Sequence, residues 1–425
     1  MGDAGAMRAE SPDTLETRRR NEILDTASQL FGSNGLRVSL EEIAGACGIK
    51  PGSLYHHFES KEAILVELVQ RYHADLDRVA DRFVLDPRPA SVEDAEIQIT
   101  GLAHAIAACA ASHAAALHFS FYDPPAGASQ ELMRLANREP AAIRAAMLDA
   151  LRAGETAGLV RTGLDLAVVS DRFCQTMLHV GLNLFHSSST AKVAETLSQM
   201  LLHGIAIATP RNADLDKSNA FLAVKDVVKT WTRTEVADPS DRAAWLRHVA
   251  RTEFGRRGYE VTTVRDIAAA AGLGTGSVYR VIGSKEELLT SIMREFAEKA
   301  AAGWTAALGS DSTTIEKLDA VCWMQINVME RFYDEFRIQL AWLRQVPPEI
   351  PSLGWSFPLV LKALRAELAQ GVSAGELSVE RPSSDLAARC VLDMTWMPEN
   401  IVRELGPRGA LQQARDTFLR GIAKR

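Results

Sequence analysis

The side chains best able to do chemistry in this chain stand in a block that occurs twice. Around residue 31 it reads LFGSNGLRVSLEEIAGACGIKPGSLYHHFESKEAIL, and around residue 254 it reads EFGRRGYEVTTVRDIAAAAGLGTGSVYRVIGSKEELL. Each version crowds hydroxyl, phenol and cationic groups behind a glycine bend. A short helix, a glycine turn and a second short helix form the geometry that presents side chains to a DNA major groove. The chemistry expected is therefore recognition. Bond-breaking chemistry has no support, since G-x-S-x-G, H-E-x-x-H, G-x-x-x-x-G-K and dinucleotide fingerprints are all missing. His56 and His57 make no metal pair, because adjacent residues of a helix point apart. Cys47, Cys109, Cys174, Cys322 and Cys390 are scattered without a C-x-x-C pair, so neither a metal site nor a cofactor is expected.

The elements that must hold these side chains follow from local patterns. A first helix is expected from about Asp13 to Asn34, with Ile23, Leu24, Ala27, Leu30 and Phe31 as its buried stripe and Gly35 as its C-cap. Ser39 and Glu42 form a capping box that opens a second helix, as do Thr263 and Asp266 in the later block. Ile43, Ala44 and Cys47 should face the core and Gly48 should make the turn. A third helix then carries Leu54 and Phe58 inward, and Ser60 caps a fourth that begins at Lys61.

Phe31 and Gly35 match Phe254 and Gly258 at an offset of 223, and from Ile43 to Glu62 the match runs at 224. Weaker matches continue in order: Pro124-Pro125 with Pro347-Pro348, Asp165-Leu166-Ala167 with Asp385-Leu386-Ala387, and Gly204-Ile205-Ala206 with Gly421-Ile422-Ala423. The chain of 425 residues is thus two copies of one unit of about 200 residues. Apolar residues recur at helical spacing and strand-like runs are scarce, which indicates an all-α fold. The division expected is a flexible tail over 1–16, a first head over 17–65 and its helical regulatory domain over 66–209. A linker with a short helix occupies 210–240, a second head 241–289, and a second regulatory domain 290–425.

The repeated block resembles the DNA-binding head of the tetracycline-repressor (TetR) family. It reproduces that family's Phe-x-x-x-Gly, Ile-Ala, Gly, Gly-Ser/Thr-x-Tyr-x-x-Phe and Ser-Lys-Glu signature. Tandem heads on one chain are similar to a minority form among actinobacterial regulators, one of which controls a mammalian-cell-entry operon. By this resemblance Lys50, Pro51, Ser53 and Tyr55 would meet bases or backbone, while Tyr55, His57 and Lys61 would hold phosphates, with His56 alongside. The counterparts are Gly274, Thr275, Ser277, Tyr279 and Lys285. Val281 replaces His57, and Arg280 stands at His56's place, where a guanidinium could fork onto guanine. Core packing is the alternative for Tyr55 and Tyr279. Unlike reading faces imply an operator with unlike half-sites, centred about one helical turn apart or a multiple of it.

The resemblance also implies that the later helices of each copy form a pocket and a dimer seam. Val169, Phe173, Met177, Val193, Leu197 and Leu201 recur at helical spacing, as do Leu386, Cys390, Met394, Leu411 and Phe418. The two copies would then pair within one chain as a monomeric pseudo-dimer, with further dimerisation on DNA left open. A small apolar effector would lie near Trp323, Tyr333, Trp342 and Trp355, or near His113, His118 and Phe121. Plain core filling is the alternative for each.

A net charge of −7 argues against a nonspecific nucleic-acid coat, although residues 241–290 hold eight Arg and Lys against six Asp and Glu. No apolar stretch is long enough to span a membrane, and Met1 to Glu16 lacks a signal-peptide core, so a cytoplasmic protein is expected. A second reading is an interaction module, or a regulator in which only the first head binds DNA.

Overall fold

The computed structural model describes residues 12–34, 38–84, 88–120, 128–182, 185, 188–208, 210–231, 238–344, 357–381 and 383–424, side chains at 12–15, 33–34, 118 and 341–344 excepted. The first copy comprises α1 (Pro12–Asn34), α2 (Leu40–Ala46), α3 (Pro51–His57), α4 (Lys61–Arg82), α5 (Val92–Ser112), α6 (Ala114–Phe119), α7 (Gln130–Ala136), α8 (Ala141–Ala157), α9 (Leu166–His179) and α10 (Thr190–His203). The linker holds α11 (Asn212–Leu215) and α12 (Asn219–Thr230). The second copy runs through α13 (Arg242–Arg257), α14 (Val264–Ala271), α15 (Thr275–Ile282), α16 (Lys285–Leu308), α17 (Thr314–Arg331), α18 (Tyr333–Arg344), α19 (Phe357–Ser373), α20 (Asp385–Thr395) and α21 (Glu399–Ala414), closing with a π-turn at Arg415–Leu419. Among the described residues no strand forms, only two isolated bridges.

The chain divides into two compact units, residues 1–72 with 113–138, and residues 73–112 with 139–425. In the first, Ile23, Leu24, Ala27 and Phe31 of α1 pack with Ile43, Leu54, Phe58 and Ile64, all buried. Full burial of each of these side chains larger than alanine contributes about 1.5–3 kcal/mol. Leu30 is only half-buried, and Gly35 lies outside the described residues. Cys47 is half-buried and ends α2 as its C-cap, whereas the other four thiols are buried. Burial raises the Cys109 thiol to about 11 and those of Cys174, Cys322 and Cys390 further, which leaves them inert.

The second unit joins the linker, the second head, the second regulatory region and residues 73–112 and 139–209 of the first. In α12, Phe221, Val224 and Val228 are buried, with Trp231 just beyond, while Leu222 is exposed. Phe221 lies 5.7 Å from the Trp323 ring, and the Trp231 ring meets Phe332 edge-on at 5.5 Å. The linker helix is therefore core. It carries no slack.

The seam between the copies is written in backbone hydrogen bonds related by one offset. Ile205 N–H donates to Phe418 O at 3.0 Å, and Ile422 N–H donates to Leu201 O at 3.1 Å. Ala206 to Leu419 (3.0 Å) mirrors Ala423 to Leu202 (2.7 Å), and Arg161 to Ile422 (2.9 Å) mirrors Ser378 to Ile205 (2.8 Å). Lys424 to Leu159 at 2.7 Å mirrors Ile207 to Glu376 at 2.9 Å. Each pair exchanges donor and acceptor at a spacing of 217, the spacing of the repeated Gly-Ile-Ala. Residue i meeting j while the mate of j meets the mate of i is the signature of an isologous contact. Side chains break the symmetry. Arg172 of α9 donates to Met394 O at 2.7 Å and to Trp396 O, and His179 lies 3.0 Å from Asp393.

Candidate nucleic-acid interface

In the first head the Ser39–Glu42 box fixes the start of α2: Glu42 N–H reaches Ser39 Oγ at 3.2 Å, and Ser39 N–H reaches Glu42 Oε2 at 2.6 Å. The same bond holds the Glu42 carboxyl below its usual range. Gly48 takes φ +66°, a left-handed value that a side chain would strain, and the chain bends there into α3. Lys50 is the N-cap of α3 and Pro51 sits in its first turn, where a missing N–H costs nothing. Leu54 and Phe58 point inward. Lys50, Pro51, Ser53, Tyr55 and His56 are left exposed on the other side, and His57 and Lys61 are half-buried. Tyr55 is 50% exposed, which rules out core packing.

The second head repeats this plan. Thr263 and Asp266 form the box, with Asp266 N–H donating to Thr263 Oγ1 at 3.2 Å. Gly272 closes α14 at φ 68°, and Gly274 is the N-cap of α15. Val278 alone of α15 is buried, while Tyr279 is 53% exposed and Arg280 is exposed beside it. Thr275, Ser277 and Lys285 are half-buried. A second capping box, Ser284 with Glu287, orients α16.

Several residues that brace these helices carry no motif. Arg20 lies 4.1 Å over the Phe58 ring, donates to His57 O and reaches Glu67 at 3.0 Å, tying α1 to the end of α3. Arg19 donates to Cys47 O at 3.2 Å, across the turn. In the second head the Lys285 ammonium stands 4.1 Å over the Tyr259 ring, and Tyr259 donates to Glu286 Oε1 at 3.3 Å. Lys61, by contrast, is lowered by burial, with Glu42 opposing that shift. The two lysines occupy matching positions on different supports.

Of the residues expected to meet an effector, Trp323, Tyr333 and His113 have described side chains. Trp323 is buried beneath the Arg408 guanidinium at 4.8 Å, with Phe221 on its flank. Tyr333 donates its hydroxyl to Glu399, and His113 lies 6.0 Å from the Tyr72 ring. Phe121 and Trp355, with the side chains of His118 and Trp342, lie outside the described residues, as do both Pro-Pro pairs. A cavity of about 630 Å³ opens elsewhere, between the end of α4 and α8. Ala80, Phe83, Val84, Ala146 and Ala153 line it, together with Asp81, Arg88, Asp149 and Arg152.

A family model described as bacterial regulatory proteins, tetR family, matches residues 23–68 and again 246–292. The HTH-type transcriptional repressor KstR2 of Mycolicibacterium smegmatis is 27% identical over 180 residues, spanning 41% of this chain and 86% of that protein. Its namesake in Rhodococcus jostii is 49% identical over 59 residues, 14% of this chain and 29% of that protein. The solved structure of ketosteroid transcriptional regulator KstR2 of Mycobacterium tuberculosis is 26% identical, covering 45% of this chain and 92% of that chain at a TM-score of 0.35. Two family matches fall on two heads with the same boxes, bends and outward tyrosines, and both heads are similar to the tetR family of bacterial regulatory proteins.

Proposed function

We propose that this DNA-binding regulator is a repressor whose two unlike heads read an operator with unlike half-sites, and that a small apolar molecule releases it. The observation that carries the DNA reading is the pair of outward-facing helices, α3 and α15. Each hides one or two apolar residues and leaves its tyrosine about half exposed beside polar groups. Repression is supported by the relatives, which are named repressors. The reciprocal seam supports a pseudo-dimer within one chain, a fixed pairing that lets the two heads diverge. The cavity between α4 and α8 offers an effector an alanine-lined wall with Phe83 and Val84, and both charge signs, Arg88 and Arg152 beside Asp81 and Asp149.

Duplexes selected from a random pool test the reading directly. Unlike half-sites, centred about 34 Å or a multiple apart, are expected; enrichment of perfect palindromes, or of nothing, refutes it. Val281 in place of His57 favours one rival, a silent second head. On the selected duplex, Lys61→Ala and Lys285→Ala should each weaken binding and flatten its salt dependence by roughly one phosphate contact. An unchanged Lys285→Ala establishes the rival. Acyl-CoA and sterol-like compounds added to the same complex should lower its affinity, and no response across the panel removes the effector.

A further inference from the structure

Three consecutive residues in the first turn of α18 hold two different helices of the second unit. Tyr333 donates to Glu399 at the start of α21. Asp334 accepts from Thr252 Oγ1 at 3.2 Å and lies 3.8 Å from Arg251 Nε, both on α13, the first helix of the second head. Glu335 lies 3.6 Å from Arg251 Nη1. The fit is close: a Cβ on Gly255 of α13 would come within 2.9 Å of Asp334 Cα.

The contact does not end at α21. Asn400, next to Glu399, donates to Asp171 of α9, which belongs to the first copy. Asp171 is buried and its other oxygen lies 3.5 Å from Arg144 of α8, while Ser170 Oγ donates to Arg144 O at 2.6 Å. Polar contacts, linked through the adjacent residues Glu399–Asn400 and Tyr333–Asp334, thus join α8 and α9 of the first copy to α13 of the second head. Asp171 is the buried member of its contact with the exposed Asn400, and a buried oxygen that loses its donor costs about 1–3 kcal/mol. A shift of α9 therefore moves Asn400 and its neighbour instead of breaking from them.

We propose that Asp171, Asn400 and Tyr333 are positioning residues for the second head, so that the first copy's regulatory helices set where α13, and with it α15, is held. Coupling of this kind requires evidence beyond adjacency. The inference rests on the second head reading DNA only for its functional consequence, and one of its two readouts needs no DNA.

The experiment uses the full chain carrying Tyr333→Phe, Asp171→Asn, or both. Tyr333→Phe removes one hydroxyl and keeps the ring, so folding is preserved. Hydrogen exchange should show α13 amides losing protection in each single variant while α5 and α10 keep theirs. The double variant should lose less than the sum, because both substitutions cut the same run. On the duplex selected for the intact chain, each should cost about three- to tenfold in affinity, an effect absent once the second half-site is scrambled. Unchanged α13 protection in Asp171→Asn, or strictly additive losses, overturns the proposal. Altered protection with affinity unmoved also overturns it, provided Arg280→Ala weakens the same complex. If Arg280→Ala is silent as well, the failure belongs to the second head's DNA reading.

Discussion

Arg280 is the residue that most changes what the second head can read. His56 holds the matching place in the first head, and Arg280 adds a planar, permanently charged fork on an exposed helix face. Replacing it with Ala removes no buried surface, so the unfolding midpoint should stay within experimental error. Affinity for the selected duplex should fall about 5- to 150-fold, equivalent to 1–3 kcal/mol, and preference at one base pair should relax. A uniform loss over all sequences would instead mark Arg280 as a phosphate contact. Much of this residue-scale picture was legible beforehand. The capping boxes, the bend at Gly48 and the inward Leu54 and Phe58 follow from spacing rules that act within a few residues. What spacing could not show is support from afar. Arg20 on the Phe58 ring and Tyr259 beneath Lys285 depend on chain crossings that no local pattern encodes. Nor could it separate outward tyrosines from core ones, since Tyr serves both uses and only the placement of Val278 and Leu54 decides.

At the scale of elements, the joint between α13 and α18 carries the most informative titration. Glu335 is buried, and that burial pushes its carboxyl up to about 7, with Asp334 and Glu295 of α16 adding repulsion against the Arg251 charge. Arg251 also contacts His248 at 2.9 Å, and burial first, then that guanidinium, lowers the imidazole. A carboxyl raised in the folded state stabilises that state most when protonated. Its contribution is therefore complete below its ordinary pKa near 4.5 and is lost as pH climbs through about 7. The difference amounts to about 3 kcal/mol across that window. Glu335→Gln, neutral at every pH and of the same shape, should flatten the decline and leave the variant more stable than the parent at pH 8. Unfolding free energies of both proteins between pH 5 and 8 decide it, and parallel slopes refute the assignment. The sequence offered no route to this joint. The aromatic run near Tyr333 suggested a ligand-facing interior, yet the flanking acids are what tie α18 to the head. The linker helix is more legible, because the apolar spacing of Phe221, Val224, Val228 and Trp231 has no use on an exposed tether. Leu222 is exposed because Phe221, Val224 and Val228 already fill the face that α12 turns to the core.

Across the whole molecule, the repeat that began as weak matches in sequence becomes a physical constraint at Gly204 and Gly421. Their φ values are +69° and +74°, and each backbone passes against the other so tightly that a Cβ would lie 2.4 Å and 2.3 Å from main-chain atoms of the opposite copy. Glycine is needed twice over at each position, for the left-handed turn and for the close pass. The Gly-Ile-Ala match, too short to carry weight alone, thus marks the two strands of backbone that exchange the seam's hydrogen bonds. The offset drifts from 224 at the heads to 217 here without disturbing the seam. Substituting Ala at either glycine should cost about 3–5 kcal/mol, from the strained φ and from forcing two main chains apart. Since both side chains would wedge the same crossing, Gly204→Ala with Gly421→Ala should lose clearly less than the two losses added. Denaturant unfolding of the two single variants and the double measures all three numbers. Similar single costs with a sub-additive pair are what paired copies of one unit require. A harmless Gly204→Ala beside a costly Gly421→Ala would mean that the C-terminal turn folds on its own and that the seam is not a shared structure.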